Sequence, residues 1–281
     1  MRQNHPPAGR LFVVGTPIGN LQDLSPRACQ VLSDVQVIAA EDTRRTRGLL
    51  SRIGVQTPTI AYHEHNEETR AVELVERMCS GESVALVSDA GMPLISDPGW
   101  RLVREARRAG IEVFSVPGPS SVSAALSVAG LPTDRYVFEG FLPRRKAERA
   151  ERLQMLAAES RTLVFFESVH RIGASLKAMG ECFGADRAAG IARELTKLNE
   201  ATYSGSLAEL HARLGTDIPL RGEFVVLVAG RKVEHEVDEV ELRRVYELLS
   251  AELAPGRAVS LSARIVGVPR NVAYRVLRIG D

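Results

Sequence analysis

The feature that most constrains the fold is a rhythm in the first half of the chain: four short, β-branched runs, each followed at once by a glycine-bearing or acidic segment. LFVVG from Leu11 opens into GTPIGN, VQVIAA from Val35 into EDTRR, SVALVS from Ser83 into SDAG, and IEVFSV from Ile111 into PGPSS. Between the runs, apolar residues recur at helical spacing. Ser25 and Pro26 signal a helix start, since Ser accepts an orphan amide and Pro lacks only an N–H that has no partner there. Ala28, Val31 and Leu32 then share one face; Ala71, Leu74, Val75 and Met78 do so within 67–79, and Leu102, Val103 and Ala106 within 100–109. This is βαβ alternation, which predicts a parallel sheet with crossover helices. Ligands bind such sheets beyond the carboxyl ends of the strands, so four special segments at strand ends predict one shared crevice.

After Gly130-Leu131-Pro132 the pattern changes. YVFEGFL, RTLVFFES, RAAGIARE, ATYSG and GEFVVLVAG read as strands separated by two helices, the first near Lys146 to Ala158. That helix follows Arg144-Arg145-Lys146, and Arg149 and Arg152 extend the charge; a solvated face and an RNA contact both fit. From Arg231 to Glu241 the chain is charge-rich, as a linker is. Beyond it three helical stripes follow: Leu242, Val245, Leu249 and Leu253; Ala258, Leu261 and Ile265; Val272, Val276 and Leu277. Val266-Gly267-Val268-Pro269 joins the last two with the spacing of a helix-turn-helix, placing Arg270, Asn271, Arg275 and Arg278 on the second helix. The expected layout is an α/β domain over 1–120, a second over 121–232 and a helical tail over 233–281.

With 281 residues, 44% hydrophobic and 25% charged, the chain has the composition of a globular protein with a substantial core. Its formal charge of +1 predicts no general attraction to polyanions, so a nucleic-acid surface must be local. Cys29, Cys79 and Cys182 are far apart and form no CxxC pair. The start of the sequence has no apolar h-region, and the expectation is a cytoplasmic protein without membrane insertion. His63-Glu64-His65 has a chelating pattern but lies in a polar loop without a further ligand cluster, so no metal is expected and a substrate-facing loop is the preferred reading.

GTPIGN has neither the glycine spacing of a dinucleotide fingerprint nor the terminal Lys-Ser/Thr of a Walker loop. In SDAGMPLISDPG, two aspartates, two prolines and two glycines within twelve residues indicate a fixed loop. Asp89 is its functional candidate, and Asp97, before Pro98, reads as a helix cap.

TPIGNL at Thr16, AAEDTR at Ala39, HEHNE at His63, SDAGMPLISDPG at Ser88, PGPSS at Pro117, EGFLP at Glu139, FFESVHR at Phe165, ARELTK at Ala192 and RGEFVVLV at Arg221 together resemble the ribosomal small-subunit methyltransferase I proteins of the tetrapyrrole methylase superfamily. The match runs in order from about Leu11 to the C-terminus. The resemblance implies a two-domain α/β methylase with S-adenosylmethionine in the cleft between the domains, a homodimer, and 2′-O-methylation of a decoding-region cytidine in 16S rRNA, with the rRNA within the small ribosomal subunit as the partner. By position, Pro17 and Gly19 would approach the cofactor, Asp89, Ala90 and Gly91 would hold its methionine or ribose portion, Ser120 and Ser121 would line its other side, and Phe166 with the backbone near Glu223 would enclose the adenine. Gly15, where the pattern has Pro or Ala, and Met92, where it has Thr, depart from the family.

A ribose hydroxyl is un-ionised at neutral pH, so a positioned proton acceptor accelerates its methylation. Asp42, Glu167 and Glu194 are the carboxylates at motif positions, and Arg193 or Lys197 would hold a phosphate; an ion pair with Arg44 or Arg193 is the competing role for each acid. Tyr62, Tyr136 and Phe141 are candidates to stack on a splayed base. Two other functions remain open on sequence: a tetrapyrrole or protein methylase of the same superfamily, and a DNA-binding regulator with an α/β effector domain.

Overall fold

In the computed structural model, which describes residues 9–231 and 238–277, the four apolar runs are strands of one parallel sheet. They are β1 (Leu11–Val14), β2 (Val37–Ala40), β4 (Val84–Val87) and β5 (Val113–Val116). A further strand, β3 (Thr59–Ala61), was not expected: three residues between Pro58 and Tyr62 are too few to show a period. The order is β3-β2-β4-β1-β5. All four residues of β2 and of β4 are buried, as strands covered on both faces are. Helices α1 (Pro26–Asp34) and α2 (Thr43–Arg52) cover one face through Ala28, Leu32 and Leu50, and α3 (Glu67–Cys79) and α4 (Trp100–Arg108) cover the other through Leu74, Met78 and Leu102. Ser25 caps α1 as expected, its hydroxyl accepting the Ala28 N–H at 3.1 Å. The chain leaves β1 toward β2 on one side and leaves β4 toward β5 on the other, so a crevice opens beyond the carboxyl ends of these two neighbouring strands.

Helix α5 (Ser121–Val128) leads to a second sheet of mixed direction, ordered β6-β7-β10-β8-β9. Its strands are β6 (Tyr136–Phe141), β7 (Thr162–Ser168), β8 (Ala188–Arg193), β9 (Ala201–Ser206) and β10 (Glu223–Val228). Helices α6 (Lys146–Leu156), α7 (Ile172–Phe183) and α8 (Leu207–Ala212) pack on one face. The sequence reading had two helices here. The third, α8, has only six residues, but a capping box starts it: Ser206 accepts the Glu209 N–H, and Glu209 accepts the Ser206 N–H.

The other face of the second sheet carries an apolar seam. Val122, Ala125 and Leu126 of α5, with Ile18 from the loop after β1, pack on Val164, Ala192, Val225 and Leu227. Beside Ile18, Gly19 lies where any side chain would meet the second half of the molecule: an added Cβ would be 2.5 Å from Lys197 Cγ and 3.1 Å from the Leu195 carbonyl oxygen. The neighbouring Asn20 N–H donates to Thr196 Oγ1 at 3.1 Å.

Both sheets belong to one compact unit, and the described residues 238–277 belong to a second. Within it, α9 (Glu239–Ser250), α10 (Pro255–Val266) and α11 (Arg270–Leu277) enclose a small core of Leu242, Val259, Ala263, Val268 and Ala273. The expected stripe on α10 is rotated. Ala258 is buried as expected, but Ile265 is 62% exposed, and Val259, Ser262 and Ala263 face inward beside Ala258, because a short helix rich in small residues offers two faces of similar strength. Gly267, in the left-handed conformation, ends α10 and sets the turn into α11. Arg270, Asn271 and Arg275 are exposed on α11; Arg278 lies outside the described residues.

Gly19→Val should therefore overpack the contact between the two sheets and lower unfolding stability by about 1–3 kcal/mol. Urea denaturation of this variant beside the parent checks this, and an unchanged midpoint would remove the contact's importance.

Candidate functional site

The loops after β1 and β4 are locked to each other before any ligand is considered. Thr16 and Gly91 exchange backbone hydrogen bonds at 2.9 and 3.1 Å, and the buried Thr16 hydroxyl donates to the Ser88 carbonyl at 3.2 Å. Close approach is possible because Gly15 faces Gly118: a Cβ on Gly15 would be 2.7 Å from Gly118 Cα and 2.7 Å from Met92 Sδ. The two departures from the family pattern are thus neighbours, the methionine sulfur lying where a larger residue at 15 would need room.

The loop after β4, held in place by the loop after β1, forms one side of a cavity of about 440 Å³, within the range of small-molecule sites. Glu41, Asp89 and Asp97 line it with Arg45, and Ser120 and Ser121 stand at the first turn of α5. Ser120, the N-cap of α5, makes no side-chain capping bond, so the first-turn amides retain capacity for an anionic group. The opposite side belongs to the second sheet: Phe141, Phe166, Val169, Phe224 and Val225, with Glu223 at the rim. Phe166 is held edge-on between Phe138, at 4.9 Å between ring centroids, and Phe141, at 5.6 Å. One side of the cavity is acidic and the other aromatic.

The acids are not equivalent. Burial, reinforced by the charges of Asp89 and Glu64, raises the Glu41 pKa, against a bond from the Asp89 N–H. Burial followed by the charge of Glu41 pushes Asp97 up to about 6. Asp89 is engaged in structure: one oxygen accepts the Asp42 N–H at 3.0 Å and the other pairs with Arg45 at 3.2 Å. The loop that presents Asp97 holds Leu94 at φ 73° and Ser96 at φ 66°, and a second loop holds Glu194 at 51° and Thr196 at 64°. Left-handed non-glycine residues are strained, and such strain clusters at functional sites.

A family model described as Tetrapyrrole (Corrin/Porphyrin) Methylases matches residues 10–211, and one described as RsmI C-terminal HTH domain matches 236–279. The ribosomal RNA small subunit methyltransferase I of Xylella fastidiosa strain Temecula1 is 52% identical over 267 residues, covering 95% of this chain and 98% of that protein. Its namesake from Pseudomonas aeruginosa is 51% identical over 271 residues, covering 95% and 96%. The chain belongs to the ribosomal RNA small subunit methyltransferase I family. Solved structures share the fold at low identity. The methyltransferase CobJ aligns with a TM-score of 0.59 at 21% identity, over 80% of this chain and 97% of that one. A uroporphyrin-III C-methyltransferase from Thermus thermophilus complexed with S-adenosyl homocysteine aligns at 0.55 and 17%, over 79% and 97%.

Of the residues that the small-subunit methyltransferase I motifs single out, Asp89, Ala90, Gly91, Ser120, Ser121, Phe166, Glu167 and Glu223 come together at the cavity, and Pro17, Gly19, Asp42, Arg193, Glu194 and Lys197 are not in its lining. Asp42 caps α2, accepting the Arg44 N–H at 2.8 Å, and its hydrogen bonds with Arg44 hold its carboxyl down at about 2. Glu167 is at the cavity edge, but its carboxylate follows the pleat of β7 to the opposite face. There it accepts from Ser175 and from the Ser168 N–H. Arg193 is buried, and its guanidinium donates to the carbonyls of Arg221 at 2.8 Å and Asn199 at 3.0 Å. Lys197 bridges Glu194 at 2.8 Å and Glu223 at 3.0 Å, and Glu194 also accepts the Glu223 N–H. Arg193, Glu194 and Lys197 thus brace Glu223 and the seam around Gly19.

Three aromatic candidates separate in the same way. Phe141 is 56% exposed at the cavity, Tyr62 is fully buried in the first core, and Tyr136 lies at the far end of β6. Asp97 does not cap α4, whose N-cap is Gly99; it lines the cavity instead. Glu41 and Arg45 were missed. In EDTRR the residue next to the strand faces the crevice, whereas Asp followed by helix-forming residues is an N-cap signal, and that distinction was legible.

Because the folded state raises the Asp97 pKa to about 6 from about 3.9 unfolded, the protonated form is favoured by folding. That contribution is present below about pH 4 and is lost as pH rises through 6. Asp97→Asn should melt near the parent temperature at pH 4 and above it at pH 8; calorimetric scans at both values check this, and a pH-independent difference would contradict the raised value.

Proposed function

We propose that this chain transfers a methyl group from S-adenosylmethionine to the 2′-hydroxyl of a cytidine in the decoding region of 16S ribosomal RNA. The observation that carries the reading is the two-sided cavity, acidic and amide-rich at the strand ends of the first sheet and aromatic on the second. The donor set fits the cofactor. Phe166 and Val225 offer a flat apolar wall to an adenine, the first turn of α5 suits a carboxylate, and the carboxylates of Glu41, Asp89 and Asp97 favour a cation between them. When bound, S-adenosylmethionine supplies an electrophilic methyl group on a positively charged sulfur.

The protein's part is to orient the hydroxyl and take its proton, since alignment contributes much of the rate in such displacements. Asp97 is the suited acceptor. A carboxylate with a pKa of about 6 is ionised at neutral pH and is a stronger base than an ordinary aspartate. Asp42, Glu167 and Glu194 already hold fixed partners. Exposed Phe141, at the mouth, supports stacking of an unpaired base, as recognition of single-stranded RNA requires. The helix-turn-helix arrangement of the tail, with Arg270 and Arg275 exposed, supports phosphate contacts.

Mapping of 2′-O-methyl groups in small-subunit rRNA, with and without this protein in its own cells, tests the assignment. One cytidine mark in the decoding region should vanish on deletion and return with the parent gene; Asp97→Asn should restore the protein but slow methylation by roughly a hundredfold or more. An unchanged rRNA methylation pattern on deletion would refute the reading.

A further inference from the structure

Outside the cavity, the strongest unexplained feature is a groove of about 420 Å³ between α6 and α7. Lys146 and Arg149 on α6 and Lys177 on α7 stand along it, and Ala150, Ala174 and Ala178 line it without bulk. The helical spacing explains the arrangement: 146, 149 and 150 share one face of α6, and 174, 177 and 178 share one face of α7. Its one acid is Glu181, so positive charge dominates.

The cations here differ from their neighbours. Arg145 and Arg152, also at α6, pair with Glu148 and Glu139. Among the described residues neither Lys146 nor Lys177 has a carboxylate within ion-pair distance. Arg149 donates one Nη to the Arg144 carbonyl at 3.4 Å, and its Nε is buried with no hydrogen-bond partner. The exposed ammonium groups of Lys146 and Lys177 are therefore open to anionic oxygens.

We infer that this groove binds phosphates of the RNA backbone flanking the methylated nucleotide. The inference rests on the RNA-methylation reading above. Two features favour a backbone over a base: the alanine lining offers no aromatic plane for stacking, and cations predominate over groups suited to reading base edges. Continuity with the cavity selects the same RNA molecule. The segment from Phe141, at the cavity, to Lys146, at the groove, spans at most about 18 Å, and Arg171 fastens it by donating to the carbonyls of Leu142 at 2.6 Å and Pro143 at 3.0 Å. A strand whose nucleotide enters the cavity therefore has neighbouring phosphates within reach of α6.

The test uses the full chain and small ribosomal subunits from cells lacking this protein, with the double variant K146Q/K177Q, which alters two exposed residues. The variant should raise KM for the subunits roughly tenfold and make the salt dependence shallower by about 1–2 in log–log slope. Its kcat, its melting temperature and its calorimetric affinity for S-adenosylhomocysteine should match the parent. Unchanged KM and salt slope in the variant, with the parent active, would overturn the groove assignment alone. Weakened binding to subunits with undiminished binding to protein-free 16S rRNA would also overturn it, in favour of a ribosomal-protein contact. A parent that neither binds nor methylates either substrate would instead overturn the RNA reading itself.

Discussion

The structure depends on the apolar seam in which Ile18 and α5 pack against the open face of the second sheet. Each aliphatic side chain buried there contributes about 1.5–3 kcal/mol, and the seam includes Ile18, Val122, Leu126, Val164, Val225 and Leu227. This contact brings the strand-end loops of the first sheet opposite Phe166 and Val225, so the cavity has two walls only because the seam holds. Gly19, Thr196 and Lys197 finish it at one end, where the 194–197 loop holds two left-handed non-glycine residues.

A second constraint is electrostatic. Glu41, Asp89 and Asp97 share one side of a partly buried site, and like charges in such surroundings disfavour ionisation. The molecule offsets this by two routes: Arg45 pairs with Asp89, and Asp97 and Glu41 shift upward toward protonation. A cationic ligand would relieve the same repulsion. In the proposed function the acidic cavity serves the methyl donor and the positive α6–α7 groove serves a polyanion.

Much of the first half was legible because periodicity and start signals agree there, as in Ser25-Pro26 and in α3, whose bounds follow the Ala71, Leu74, Met78 stripe. What escaped were elements below the length at which a period shows: β3 with three residues and α8 with six. In the site, motifs located the right loops but not the facing of individual side chains. Asp42 and Glu41 are adjacent, yet one caps a helix and the other lines the cavity; Phe166 and Glu167 are adjacent on β7, and the pleat sends them to opposite faces. Arg193 and Asp97 exchange expected roles for a tertiary reason: the arginine is buried against the carbonyls of Arg221 and Asn199, and the aspartate lines the cavity, neither of which local sequence shows.

The central claim is that the methyl donor lies between the two sheets against Phe166. Calorimetric titration of S-adenosylhomocysteine into Phe166→Ala tests it most directly, with Asp42→Ala as the control outside the cavity and melting temperatures confirming that both are folded. Loss of the aromatic wall should weaken binding by about tenfold, and Asp42→Ala should bind like the parent. Parental affinity in Phe166→Ala would contradict the account.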